Sequence, residues 1–335
     1  MKVDTFNRRV AAAIFAAAAS FLINPGTRLF AAGDAWPARP VAFIVASAPG
    51  GATDLYARLM ADYLTKSLKQ TFVVENRAGG SGNVGAGVVA RAAPDGYTFL
   101  VAGTQSLVIN PSLFKNLPYN AEKDLIPVAR GVISPMVLVS HPSLPVHTLH
   151  ELVDLGKSKP DSVPFGSAGY GSTTYLGVRI LEEMSNVEFV HVPFKGLGQA
   201  FQTLLGGDIK FIYADVGTAL PMIQSGAIRA LAVTQVTSQL PNTPTVADAG
   251  FPGSEVVGTF SIAAPAGTPL EILHRLSTAV NEAMHDGDVA AKLSAHALIP
   301  VFDTPESYAA VLQGEREKWA KFIQRNGITV DKDSD

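Results

Sequence analysis

Cysteine is absent from all 335 residues. That excludes a disulfide framework, a thiol nucleophile and the N-terminal cysteine a lipid anchor requires. Charge is scarce too: Asp, Glu, Lys and Arg make up 16% of the chain and hydrophobic residues 47%. A disordered polyelectrolyte is thereby excluded and a substantial core expected. Acidic residues, 29, outnumber the 26 basic ones, which argues against a nucleic-acid partner. Beyond residue 35 no run is apolar enough to span a bilayer. Catalytic signatures are missing as well: no Gly-x-Ser-x-Gly elbow, no Gly-x-x-x-x-Gly-Lys-Ser/Thr phosphate loop and no His-Glu-x-x-His helix occur.

The N-terminus reads as an export signal. Lys2, Arg8 and Arg9 precede an apolar run, Val10 to Ile23, and the small residues Ala31, Ala32, Gly33 and Ala35 follow it. The run is shorter than the roughly 20 residues a membrane-spanning helix needs. A cleaved signal over 1–35 is therefore expected rather than an anchor. The length of the remainder predicts two domains.

The strongest positive feature is a pair of glycine-rich turns, Ala48-Pro49-Gly50-Gly51-Ala52-Thr53-Asp54 and Gly166-Ser167-Ala168-Gly169-Tyr170-Gly171-Ser172-Thr173. Each follows an apolar strand-like run, Val41–Ala46 or Val163–Phe165, and precedes a helix pattern. Such a joint leaves backbone N–H groups open at the positive end of a helix dipole, a seat for a carboxylate or phosphate. Thr53 or Asp54 is positioned to cap the first helix. Its apolar residues Leu55, Leu59, Met60, Tyr63, Leu64 and Leu68 recur at three- and four-residue spacing.

The rhythm continues with strands Phe72–Glu75 and Tyr97–Ala102 around a small-residue helix, Asn83–Ala92. It restarts with strand Met136–Ser140, helix His147–Ser158, the second glycine turn, helix Thr173–Met184 and strand Glu188–Val192. Helix Gly198–Leu205, strand Ile209–Ala214, a short helix near 218–224 and strand Ile228–Val233 follow, then an extended Gly258–Ala264 and helices over 269–286, 288–295 and 305–327. This is a two-lobed α/β pattern: each lobe a mainly parallel sheet flanked by helices, with a helical C-terminal tail. One lobe is expected over 36–136 plus 256–335 and the other over 137–255, the chain crossing near 132–137 and 254–260. Open sheets bind ligands beyond the carboxyl ends of their strands, where both glycine turns fall.

Other candidates lie at the same edge. Thr104, Gln105 and Ser106 follow a strand as neutral donors, and Asp215 ends strand Phe211–Ala214, pointing to the cleft or solvated in its loop. Lys195 pairs with an anion or covers the rim. His147 and His150 stand at i and i+3 but lack a further ligand motif, so no metal site is expected. Gly169-x-Gly171 lacks the third glycine of a dinucleotide fingerprint, Thr174 standing there, so no cofactor is expected either.

Seven segments in order carry a resemblance: Ala-Pro-Gly-Gly-Ala-Thr-Asp54, Val-Val-Glu-Asn-Arg77, Ala-Ala-Pro-Asp-Gly-Tyr97, Gly-Ser-Ala-Gly-Tyr-Gly-Ser172, His-Val-Pro-Phe-Lys-Gly196, Ile-Arg-Ala-Leu-Ala-Val-Thr234 and Ala-Pro-Ala-Gly-Thr-Pro269. From about Val41 to Trp319 the chain resembles the Bug family, periplasmic solute-binding receptors similar to TctC of the tripartite tricarboxylate transporters. The resemblance implies a type II periplasmic-binding-protein clamp, a monomer, closing on a small organic acid or amino acid and delivering it to membrane permease subunits. It implies a periplasmic protein that is not an enzyme. Carried over by position, it implies ligand contacts from Gly50, Gly51, Ala52, Thr53 and Asp54, and from Ser167, Ala168, Gly169, Ser172 and Thr173, with Asp215 discriminating between ligands. The sequence departs from the family at Ser47 (usually aromatic), Tyr175 (histidine), Arg179 (an acid), and Thr259 and Ser261 (a Trp-x-Gly pattern). Arg179 reads as a surface ion pair or as added positive field. A sensor subunit and, behind it, an exported hydrolase or isomerase are the alternative functions.

Overall fold

The computed structural model describes residues 36–194 and 196–329; the expected signal in 1–35 and Lys195 lie outside them. An apolar run such as Val41–Val45 needs neighbours on both edges and both faces. This strand, β1, lies between β2 (Phe72–Asn76) and β3 (Thr98–Gly103), parallel to both. Helix α1 (Ala52–Leu68) joins β1 to β2, and α2 (Asn83–Ala90) joins β2 to β3. The buried stripe of α1 centres on Tyr56, Met60 and Leu64, slightly round the helix from the expected line; Leu55, Tyr63 and Leu68 form its half-buried border. These side chains pack with Phe43, Phe99 and Val101. Burial of Met60 and Leu64 contributes about 1.5–3 kcal/mol each.

The first sheet has six strands in the order β11–β4–β10–β3–β1–β2, with β4 at Leu125–Ser134, β10 at Gly258–Pro265 and β11 at Ile299–Pro300. The second has five, β7–β6–β8–β5–β9: Val190–Pro193, Pro164–Ser167, Phe211–Asp215, Met136–Ser140 and Arg229–Val233. Helices α3 (Leu149–Ser158), α4 (Thr173–Ser185), α5 (Leu197–Gly206) and α6 (Val216–Gln224) connect the strands of the second sheet. The chain closes with α7 (Leu270–His285), α8 (Gly287–Ala295) and α9 (Pro305–Arg325).

The α/β architecture with its helical tail holds, and both sheets are mixed. β10 is antiparallel to β3 and β4, and β5 is antiparallel to β8 and β9. β4 leaves the first sheet at Ser134 and β5 enters the second at Met136, with Pro135 alone between them. Strand β4 itself was hidden in the sequence by Pro127 and Gly131. Gly131 has φ +73°, and a Cβ there would collide with the Tyr56 ring, so this strand must carry a residue that reads as a breaker.

Candidate functional site

The first glycine turn leaves β1 and enters α1 through Gly50, in the left-handed region at φ +85°. The helix N-cap is Gly51, with no side-chain cap, which corrects the expectation that Thr53 or Asp54 would fill that role. Asp54 sits one turn further in and is 4% exposed. Its carboxylate accepts from the Gly50 amide at 2.9 Å, Asn76 Nδ2 at 2.9 Å and Arg58 Nε at 3.0 Å. Burial alone would push its pKa up; Arg58, the Gly50 amide and Asn76 outweigh burial and hold the carboxyl below its ordinary value. The amides of Ala52, Thr53 and Asp54 open the helix and have no acceptor within it. Asp54 therefore shapes the turn from behind, while Ala52 and Thr53 line a cleft at its front.

The second turn leaves β6 and enters α4 by different means. Ser172 is the N-cap: its Oγ accepts from Tyr175 N at 3.2 Å and donates to the Gly169 carbonyl at 2.6 Å. The Ala168 amide donates to Thr174 Oγ1 at 2.9 Å and the Gly169 amide to Ser167 Oγ at 3.1 Å. Those two amides are thus engaged inside the turn, and the open donors of α4 are Thr173 and Thr174 N–H. Gly169 has φ +103°, the left-handed region that favours glycine.

Behind this turn stands His191, Nε2 at 2.7 Å from Ser167 Oγ, its ring stacked on Phe165 and against Tyr170 and Tyr175. Burial, and then the charge of Arg179, push its pKa down to about 4. The imidazole is accordingly neutral at pH 7.

The cleft holds about 550 Å³, within the range of small-molecule sites. Of the expected residues Ala52, Thr53, Thr104, Gln105, Ala168, Gly169, Ser172, Thr173 and Asp215 line it. Gly50, Gly51, Asp54 and Ser167 are not in its wall; Asp54 and Ser167 are buried braces of the two turns. Thr104 Oγ1 accepts from Thr259 N at 3.0 Å. Asp215 ends β8, where Ser134 Oγ donates to its Oδ1 at 2.8 Å. Burial pushes the Asp215 pKa up against the lowering effect of Ser134 and of its own amide. Among the described lining residues Asp215 is the only carboxylate, and there is no Lys, Arg or His.

Sequence reasoning missed a third glycine turn. Ala78-Gly79-Gly80-Ser81-Gly82 follows β2 and also lines the cleft, with Ser81 at φ 54°. The rule that singled out the other two, glycines between a strand and a helix, applies here equally. Tyr170, Phe194, Thr259 and Phe260 complete much of the remaining wall. Of the unusual residues, Ser47 and Thr259 line the cleft, while Ser261 is buried beneath it with Oγ 3.3 Å from the Ala102 carbonyl. Arg179 pairs with Glu182 at 2.6 Å, outside the cleft. His150 packs against Phe251, and among the described residues no three His, Cys, Asp or Glu cluster to hold a metal.

Residues 56–328 match the family described as the tripartite tricarboxylate transporter family receptor, TctC. The chain is 33% identical over 313 residues to the BugT protein of Bordetella pertussis, covering 92% of this chain and 96% of that one. Among solved structures it is similar to R. palustris Rpa4515 with adipate, at TM-score 0.81 and 32% identity, over 88% of this chain and 100% of that one. It is also similar to MatC of Rhodopseudomonas palustris with bound malate, at TM-score 0.76 and 31% identity, over 86% and 100% of the two chains.

Proposed function

Given that the chain belongs to the family of tripartite tricarboxylate transporter receptors, we propose that it captures a small carboxylate-bearing metabolite in the cleft and delivers it to the permease subunits of such a transporter. The family is one of receptors rather than enzymes. One observation carries the ligand class: helices α1 and α4 begin at the cleft wall, with Ala52, Thr53 and Thr173 in that wall, and no basic side chain among its described residues. Anion binding then falls to backbone amides and helix dipoles. The adipate and malate bound by the two structural relatives support a carboxylate.

The two lobes, 36–136 with 256–335 and 137–255, would each contribute one turn. Closure follows from the ligand's contacts with both, since a ligand favours whichever state it touches more. The connections Ser134-Pro135-Met136 and the entry to β10 at Gly258 are the hinge, and Asp215 lies beside both, 2.8 Å from Ser134 Oγ and 3.6 Å from where a Gly258 Cβ would stand. A carboxylate there disfavours a second anionic group and favours an ammonium or hydroxyl, so Asp215 discriminates among carboxylates. The receptor acts as a monomer, exported to the periplasm by a cleaved signal in 1–35.

Calorimetric titration of the purified protein with a panel of mono- and dicarboxylates, hydroxy acids and amino acids tests this reading. Saturable binding of at least one, with a matching rise in melting temperature, is expected. A folded protein that binds none of them overturns it.

A further inference from the structure

The loops after β1, β2 and β3 reach the cleft side by side, since these three strands are parallel neighbours. They bring Ser47, Ser81, Thr104, Gln105 and Ser106 to one wall. Every one of these side chains is neutral and can both donate and accept. Ser47 Oγ is buried without a hydrogen-bond partner. Ser106 is 3% exposed and Ser81 is half-buried beside it in the same wall. Buried hydroxyls are ordinarily paired, and Ser47 Oγ, buried in this wall without a partner, has capacity to spare.

The wall is also built to stay in place. Asn110, fully buried, donates from Nδ2 to the Ser81 carbonyl at 2.9 Å and to Asn83 Oδ1 at 2.7 Å. The Tyr119 hydroxyl lies 2.7 Å from the Ser106 carbonyl and 3.0 Å from the same Asn83 oxygen. From α9, Arg316 donates to the carbonyls of Leu107 and Ala121 at 2.8 and 3.0 Å, pinning the segment that presents Gln105 and Ser106. A Cβ on Gly82 would collide with Ser106 Oγ, so the two loops meet only because glycine stands there.

We propose that Ser47, Ser81, Thr104, Gln105 and Ser106 form a subsite for an uncharged, hydroxyl-bearing end of the ligand, so that hydroxylated monocarboxylates are preferred over dicarboxylates of the same length. This rests on the carboxylate-capture reading above and adds the chemistry of the ligand's other end. A second carboxylate would find no cation among the described residues of this wall and would share the cavity with Asp215. A hydroxyl finds partners that can adapt to it as donor or acceptor. An alkyl end would leave the buried Ser47 hydroxyl unmet, which is costly.

The test is a calorimetric comparison of four six-carbon acids on the purified protein: hexanoate, 6-hydroxyhexanoate, gluconate and adipate. At least one hydroxylated acid is expected to bind roughly tenfold or more tightly than both hexanoate and adipate, about the discrimination one buried hydrogen bond supplies. Ser47→Ala and Ser81→Gly, the latter compatible with the φ of its position, should each shrink that ratio severalfold. General damage to the cleft would weaken all four acids together and leave the ratio intact. Adipate binding tightest, hexanoate matching the hydroxylated acids, or a ratio that survives both substitutions overturns the subsite while leaving carboxylate capture standing. Binding by none of the four overturns the subsite, and the wider panel then decides on carboxylate capture itself.

Discussion

The two glycine turns open helices onto one cleft by opposite chemistry. The turn before α1 has no side-chain cap and is held from behind by a buried, ionised Asp54 linked to Gly50, Asn76 and Arg58. The turn before α4 is capped by Ser172 and braced by a neutral His191 within an aromatic cluster. The first keeps its first-turn amides open and places a negative charge behind them. The second spends the Ala168 and Gly169 amides on its own rigidity. The comparison teaches that a glycine motif marks where a helix N-terminus is bared, whereas the residues behind it decide how much of that N-terminus a ligand can use.

The largest effect is expected from Asp54→Ala, which leaves the Gly50 amide and Asn76 Nδ2 without their buried acceptor. A stability loss of about 2–4 kcal/mol and at least a roughly tenfold weaker affinity should appear in urea unfolding and calorimetry. Asp54→Asn retains an acceptor and should fall between. An Asp54→Ala protein as stable as the parent would show that the first turn holds itself.

Glycine substitutions come next and separate the turns by backbone. Gly169→Val places a branched residue at φ +103° with Cβ 3.3 Å from the Phe194 carbonyl, and should lose about 1–3 kcal/mol along with binding. Gly51 has φ −82° and its Cβ would meet only the Ala48 carbonyl, at 3.8 Å. Gly51→Val should therefore keep near-parental stability while losing affinity, because its side chain stands beside the open amides. Affinity that survives both changes would remove the amide cradle from the mechanism.

A pH series sharpens the contrast further. The folded pKa of His191, about 4, lies below its ordinary 6.5, so the unfolded chain binds the extra proton between these values. Stability from this group is complete above pH 6.5 and falls as the pH drops toward 4. Asp54, with a lowered carboxylate pKa, contributes stability that is complete above about 3.8 and is lost only below it. His191→Phe should flatten the loss between pH 6.5 and 4 and leave the steep acid limb in place. An unchanged profile would show that the second turn does not depend on a neutral imidazole.

The smallest effect belongs to Arg58→Ala. Arg58 is exposed and solvent screens its pair with Asp54, so melting temperature and affinity should stay within error at physiological salt. A clear loss at low salt that vanishes on adding salt would place Arg58 in the cleft's electrostatic field.

Much of this is legible in the sequence. The runs Val41–Val45, Met136–Ser140 and Phe211–Asp215 declare themselves as buried strands, and the three- and four-residue spacing in 55–68 declares a helix whose buried stripe lay slightly round from the expected line. β4 was not legible, because Pro127 and Gly131 read as breakers, and only its packing against β10 and Tyr56 makes a strand of it. Ser81 was passed over, and Ser106, though expected as a donor at the cleft edge, could not be paired with it, for nothing local says that loops after β2 and β3 meet. The role of Asp54 was misjudged for the same reason: capping is a local pattern, while its bond to Asn76 spans 22 residues.

The sequence alone determined the α/β class, the scarcity of catalytic pairings and the places where helix N-termini are bared, since these depend on composition and on spacings within a few residues. Tertiary structure decided which amides remain open, which acid braces and which faces the cleft, and which hydroxyls share a wall. Those are properties of where distant strand ends converge, and burial and hydrogen bonding between loops far apart in the chain are settled only when the sheets assemble.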